Sequence, residues 1–174
     1  MKNIYILFLL GVVVTTLSCE DGNKNYTEEF DSVYYYLKEG VNEFDFYSVN
    51  SAKVQTITVG RGGHGLNGVS TINLVPFTQA EMDEYNATID GDYKLLAPEY
   101  YDMPATVAFE DGVEYRNVDV VFKGNMSELA KTGEYMLPIR LEADNGTVND
   151  NKNIIYFKRT SSYLASLRIL RGFM

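Results

Sequence analysis

Val54-Gln55-Thr56-Ile57-Thr58-Val59 decides the fold class, because apolar and polar residues alternate along it. That period is the mark of a strand with one buried face and one wet face. Val54, Ile57 and Val59 are read on one face, with a slip at Thr56. Outward from this stretch, similar runs recur at Val33–Leu37 and Phe44–Val49, then at Val69–Val75 and Ala105–Phe109. Others follow at Val118–Phe122, Tyr135–Leu141 and Ile154–Phe157. All are rich in β-branched and aromatic residues and are separated by turn residues. About 7–8 short strands spaced this way predict a mostly β chain, an Ig-like β-sandwich. Pro138 has no amide proton, so its strand is expected at a sheet edge or at a bulge.

One helix interrupts the strands. Thr78 can cap it, and Glu81 three residues on completes a capping box. Met82 and Tyr85 then fall on one face at i, i+3, which predicts a short helix near 79–86. A second helical turn is expected at Met126–Ala130, ended by Gly133.

Composition narrows the function classes. The 174 residues carry 15 Lys+Arg against 24 Asp+Glu, a formal charge of −9. Such a chain is a poor match for duplex nucleic acid, whose binders need cations to displace condensed counterions. One Cys excludes an intrachain disulfide and a Cys-based zinc cluster, and one His excludes a multi-His metal site. With 45% apolar residues, a real core is available to one domain.

The N-terminus reads as export machinery rather than fold. Lys2 precedes an apolar run from Ile4 to Val14, too short for a spanning helix of about 20 residues. The run ends just before Cys19, the only Cys. This resembles a bacterial lipoprotein signal, with Thr16 in the place three before the Cys where Leu is usual. Residues 1–18 are then the signal peptide, Cys19 the lipidation point and 19–30 a polar tether. Acidic residues after Cys19 resemble the export signal of Bacteroides-type surface lipoproteins, so the expected location is the outer membrane, lipid-anchored and facing outward. The sandwich is assigned to 31–158, where 11 basic and 24 acidic residues from Cys19 to Lys158 give net −13. Residues 159–174 form a basic tail with three Arg and no acid. Two readings of it stand: an amphipathic helix carrying Leu164, Leu167 and Leu170, or a truncated or out-of-frame end. The second is favoured, because the strand pattern is complete before it.

Motifs for chemistry are sparse. Gly60-Arg61-Gly62-Gly63-His64-Gly65 matches G-x-G-x-x-G in letters, but no helix is expected after it to receive a pyrophosphate. His64 has no partner for a metal site. Glu110-Asp111-Gly112 reads first as a turn, and Asp90-Gly91-Asp92 lacks the spaced ligands of a calcium loop. Asp31-Ser32-Val33 matches the short O-glycosylation pattern of Bacteroides-type secreted proteins. No catalytic residue, metal ligand or cofactor is assigned. Tyrosines are the suggestive feature: Tyr34, Tyr35, Tyr36, Tyr100 and Tyr101 are candidates to stack on sugar rings. Period two puts Tyr34 and Tyr36 on one face and Tyr35 on the other, so at least one face is core.

The run from Met82 to Ile139 resembles the N-terminal domain of Bacteroides-type surface lipoproteins, a β-sandwich domain of unknown function. The carrying residues are Tyr85-Asn86, Tyr93, Leu95-Leu96-Ala97-Pro98 with Tyr100 or Tyr101, Gly112, Leu129 and Tyr135-Met136-Leu137-Pro138-Ile139. The resemblance spans roughly Ser32 to Phe157, with Ala97 intervening in a Leu-Pro step that is usually direct. It implies a domain placed ahead of a family-18 glycoside hydrolase, lectin-like or discoidin-like module. The expected function is therefore non-enzymatic: a surface-anchored spacer or glycan-binding accessory of a polysaccharide-capture system. Its expected partners are the membrane, through the N-terminal lipid, a glycan ligand and an outer-membrane glycan-uptake complex. The alternatives are the truncated N-terminal part of a family-18 glycosidase lipoprotein and an adhesin-type subunit.

Overall fold

Four consecutive residues, Met136 to Ile139, are buried, which a strand allows only when both of its faces are covered. The computed structural model describes residues 32–45, 52–63, 66, 68–129 and 131–160. Cys19, the tether, His64, Gly65 and the tail beyond Thr160 lie outside the described residues, as do Asp31, Ala130 and positions 46–49 of the expected second strand.

Two sheets pack face to face. With strands numbered along the chain, the first sheet runs β10 (Thr147–Val148), β1 (Val33–Tyr36), β3 (Lys53–Gly62), β8 (Tyr115–Phe122) and β6 (Tyr101–Asp102). The second runs β2 (Gly40–Asp45), β11 (Ile154–Thr160), β9 (Tyr135–Ala143), β4 (Ser70–Pro76) and β7 (Thr106–Phe109). Its sixth strand, β5 (Lys94–Leu95), pairs parallel with the start of β9. Phe122 meets Phe157 edge-on across the core at 5.4 Å, and Tyr34 meets Phe109 at 5.7 Å. The sandwich is thus as expected, with eleven strands among the described residues. Three of these, β5, β6 and β10, are two-residue pairings that leave no periodic trace in a sequence.

Three expectations are corrected. The second strand begins earlier than Phe44, at Gly40, and its described part, Gly40–Asp45, pairs parallel with β11. It is the edge strand of its sheet, and Val41 in it is 49% exposed, so no apolar alternation announces its start. Val54 faces outward, 52% exposed, while Ile57 and Val59 face the core at 5% and 0%. There is no slip at Thr56: strict period two puts positions 54, 56 and 58 on one face. Pro138 sits in an interior strand rather than an edge strand. β4 ends against β9 at Pro76↔Ile139, and β5 takes over along the same edge at Leu95↔Met136. Pro138 occupies the gap between them, where its carbonyl accepts from the Phe77 amide at 3.1 Å and no strand needs its missing proton.

Helix α1 (Gln79–Ile89) covers the outer face of the second sheet. The Thr78 amide donates to Glu81 Oε2 at 2.7 Å, and the Glu81 amide donates back to Thr78 Oγ1 at 3.4 Å, so the capping box forms. Asp90 ends the helix in the left-handed region at φ 52°. Met82 is fully buried, and Tyr85 stacks on Tyr156 of β11 with ring centroids 4.7 Å apart. Tyr156 is also met edge-on by Phe77 at 6.1 Å. The Arg140 guanidinium of β9 pairs with Glu81 and, at 2.5 Å, with Glu142. A short second helix, α2 (Met126–Leu129), follows β8 as expected.

The Arg140 hydrogen bond, followed by those from Thr78, holds the Glu81 carboxyl at about 2, against its usual 4.5. A carboxylate depressed on folding contributes stability that is complete above its unfolded value and is lost as pH falls through the folded value. The pair should therefore lose its contribution between pH 4.5 and about 2. Glu81→Gln should cost about 1 kcal/mol at neutral pH and flatten the decline in that window. Urea midpoints measured across the window check this; equal slopes for both proteins would contradict it.

Candidate functional site

Of the four sheet faces, two meet in the core and one carries α1. The remaining one, the outer face of the first sheet, presents β1 at position 35, β3 at 54, 56, 58 and 60, and β8 at 115, 117, 119 and 121. Strand register arranges these side chains in rows. Tyr35, Gly60 and Tyr115 share one row, since Tyr35 pairs with Gly60 and Gly60 with Tyr115. Thr58 and Asn117 form the next row, Thr56 and Asp119 the third, and Val54 and Val121 the fourth. Rows two residues apart along a strand stand about 7 Å apart.

Tyr35 lies across the β3 backbone. A Cβ on Gly60 would stand 2.6 Å from Tyr35 Cζ, and one on Gly62 would stand 3.5 Å from Cε1. Glycine here removes the side chain that would prop the ring up. The Tyr35 pKa is raised, first by a hydrogen bond with Tyr115, then by burial and the charges of Tyr115 and Glu114, so Tyr35 is neutral at ordinary pH. Beyond the tyrosines, Thr58 Oγ1 donates to Asn117 Oδ1 at 2.8 Å, and Thr56 Oγ1 donates to Asp119 Oδ1 at 2.6 Å. The result is one half-buried ring, one ring 49% exposed, and two polar pairs in line with them, all open to solvent.

The five candidate tyrosines separate. Tyr34 and Tyr36 are core residues, 1% and 0% exposed, and their rings are out of a ligand's reach. Alternation in β1 sends both inward; the Tyr36 hydroxyl finds no partner there, and burial pushes its pKa well up. Tyr35 alone of that triplet reaches the open face. Tyr100 and Tyr101 are half-buried against the rim of the core at β6, and burial raises the Tyr101 pKa. Two strands, β3 and β8, stand between them and Tyr35. The structure therefore does not join the two tyrosine clusters into one surface. Sequence reasoning missed Tyr115, Asn117, Asp119, Thr56 and Thr58. The available signal was the polar residue set between valines in Val118-Asp119-Val120, which a buried strand would not carry.

The glycine-rich stretch is a strand and its exit. β3 continues through Gly62, and among the described residues no helix stands between it and β4 to receive a pyrophosphate. Gly60 seats Tyr35, and Arg61 points the opposite way into the protein, 2% exposed. Its Nη1 donates to the Gly68 carbonyl at 3.0 Å and Ser70 Oγ at 3.3 Å. Its Nη2 donates to the Leu66 carbonyl at 2.5 Å and the Glu110 carbonyl at 2.9 Å. The guanidinium also sits 5.6 Å from the Phe109 ring centre. Arg61 thereby ties the loop after β3 to the β7–β8 turn. The other acidic motifs are structural too. Asp111 accepts from the Gly68 amide at 2.6 Å, Glu110 pairs with Arg116 at 3.2 Å, and Asp90 is the helix stop.

A cleft of about 220 Å³ opens between the sheets, lined by Lys38, Asn42, Glu43, Gln55, Ile57 and Phe157 among others. Glu43 is the one carboxylate among its described lining residues, so the paired carboxyls of a glycosidase are not met there. Among the described residues, no group of three His, Cys, Asp or Glu could hold a metal ion, and no helix is long and apolar enough to cross a membrane.

A family model of an N-terminal domain matches residues 21–148. No curated protein matches the chain. Several solved structures share its fold. One is a Bacteroides ovatus protein described as a candidate carbohydrate-binding protein, 18% identical with TM-score 0.63, matching 74% of this chain and 36% of its own. Another, of unknown function and also from Bacteroides ovatus, is 16% identical with TM-score 0.60 over 72% of this chain and 43% of its own. A two-domain protein from Bacteroides fragilis is 12% identical with TM-score 0.57 over 76% of this chain and 46% of its own. The chain thus spans between 36% and 46% of the length of these three.

Removing Arg61 should unpin two loops at once. Arg61→Met leaves three carbonyls without their donor and should cost about 3 kcal/mol in a urea unfolding midpoint. Arg61→Lys should recover only part of that, because an ammonium cannot reproduce the planar fork. A loss under about 0.5 kcal/mol for Arg61→Met would contradict the assignment.

Proposed function

We propose a function from this premise: the chain belongs to the N-terminal-domain family that its residues 21–148 match, the family its sequence resembles. It is a non-catalytic accessory domain that binds glycan at the outer face of its first sheet. The observation that carries this reading is the open row of Tyr35 and Tyr115 followed by the Thr58–Asn117 and Thr56–Asp119 pairs. An aromatic ring offers an apolar platform to the C–H face of a sugar, and adjacent hydroxyl, amide and carboxylate groups match its hydroxyls. A relative described as a candidate carbohydrate-binding protein supports the same reading.

The sequence adds a location to this function. A lipid on Cys19 would hold the domain at the outer membrane through the tether of residues 19–30, facing outward as part of a glycan-capture complex. In the relatives the matching part is a fraction of a longer chain, which supports a role beside another module.

Glycan microarrays and affinity electrophoresis on plant, fungal and host polysaccharides test the binding reading. Retention on at least one glycan is expected. Passage through all of them at the rate of an inert control would remove glycan binding and leave a spacer role.

A further inference from the structure

We propose that this face selects neutral glycan chains, lying along β3 and β8, and that Gly60 is the residue that positions its aromatic platform. The inference rests on the glycan-binding reading above and adds a ligand class and a determinant.

Direction comes from register. The tyrosine row and the two polar pairs follow one another along β3 and β8 at positions 60, 58 and 56 against 115, 117 and 119. A ligand whose first ring stacks on Tyr35 can reach both pairs only by running parallel to those strands. The three rows cover about 14 Å, which calls for a linear oligosaccharide rather than a single sugar.

Ligand class comes from charge. None of the outward positions named on β1, β3 and β8 carries a Lys or Arg. Asp119 is exposed in the middle of the face, Glu114 flanks Tyr115, and Asp102 lies opposite Val121 at the far end. An acidic sugar on this surface would meet like charge with no compensating cation at those strand positions. A neutral sugar would instead donate its hydroxyls to Asp119. That carboxylate has used one acceptor site on Thr56, and an ionised carboxylate offers about four. The surrounding charge acts the same way, since residues 19–158 carry net −13.

The positioning role of Gly60 comes from contact. Adding a Cβ there puts it 2.6 Å from Cζ and 3.0 Å from the hydroxyl oxygen of Tyr35. Those atoms are the outer end of a half-exposed side chain, so the ring can lift away without disturbing the core. Gly60→Ala should therefore spoil the platform while leaving the fold intact. Gly60 touches no ligand in this account and acts through Tyr35.

The test compares the purified chain with its variants on a neutral β-glucan, a neutral mannan, polygalacturonic acid and chondroitin sulfate. The unmodified chain should be retained by a neutral polymer and pass the two acidic ones freely. Tyr35→Ala and Gly60→Ala should each weaken retention by about tenfold, with thermal unfolding midpoints close to the original. Tyr35→Phe should keep most of the retention, because it keeps the stacking ring. Asp119→Asn should weaken neutral binding and narrow the discrimination against the acidic polymers. Retention that Tyr35→Ala and Gly60→Ala leave unchanged, or a preference for the acidic polymers, would overturn this inference while glycan binding stands. Retention on no polymer would overturn both. A Gly60→Ala protein that fails to fold would show Gly60 to be a structural residue and overturn its positioning role.

Discussion

The burial of β9 on both faces is the constraint on which the rest of the structure depends. Its inner side chains, Leu137, Ile139 and Leu141, complete the core against the first sheet. Its outer side chains, Met136 and Pro138, need a second cover. Helix α1 supplies it, and its charged contact is Arg140 with Glu81, the same residue that closes the capping box. One glutamate thus fixes both where the helix starts and where it lies on the sheet. With two faces in the core and one under the helix, the outer face of the first sheet is the one left to water among the described residues. The position of the candidate site follows from how the other three faces are used.

β3 links core and surface through adjacent residues of opposite direction. At Gly60 the outward position is empty, and a tyrosine from the neighbouring strand lies over it. At Arg61 the inward position holds a guanidinium that satisfies three carbonyls and one hydroxyl. A buried cation with no carboxylate partner among the described residues depends on its other contacts: the terminal nitrogens make four, while Nε finds no partner. The letters of a nucleotide-binding motif are here explained by strand alternation: glycine where a ring must approach and arginine where two loops must be held.

Much of the fold was legible in the sequence because its signals are local. Alternation marked the long strands, and Thr78 with Glu81 marked the helix start. The i, i+3 spacing of Met82 and Tyr85 marked the face that α1 buries. What escaped was set by pairing between distant segments. The place of Pro138 in an interior strand depends on β4 ending where β5 begins, a fact of assembly rather than of residue type. Tyr34 and Tyr36 were candidates for sugar stacking alongside Tyr35, and only the folded sheet shows which side of β1 is wet. The polar pairs of the candidate site join residues 59 and 63 positions apart, so no window along the chain contains them. The misreading of Val54 had another source: it took apolar character as evidence of burial, whereas single exposed apolar residues are ordinary on protein surfaces.

The claim at the centre of this account is that the outer face of the first sheet is a binding face for a neutral glycan chain. Amide chemical-shift mapping during titration with a neutral oligosaccharide retained by the protein tests it most directly. The account predicts shifts concentrated at Tyr35, Thr56, Thr58, Gly60, Tyr115, Asn117 and Asp119, with the amides of α1 and β9 unmoved. Shifts confined to α1, to the cleft beside Lys38 and Glu43, or to the Tyr100–Tyr101 rim would contradict it.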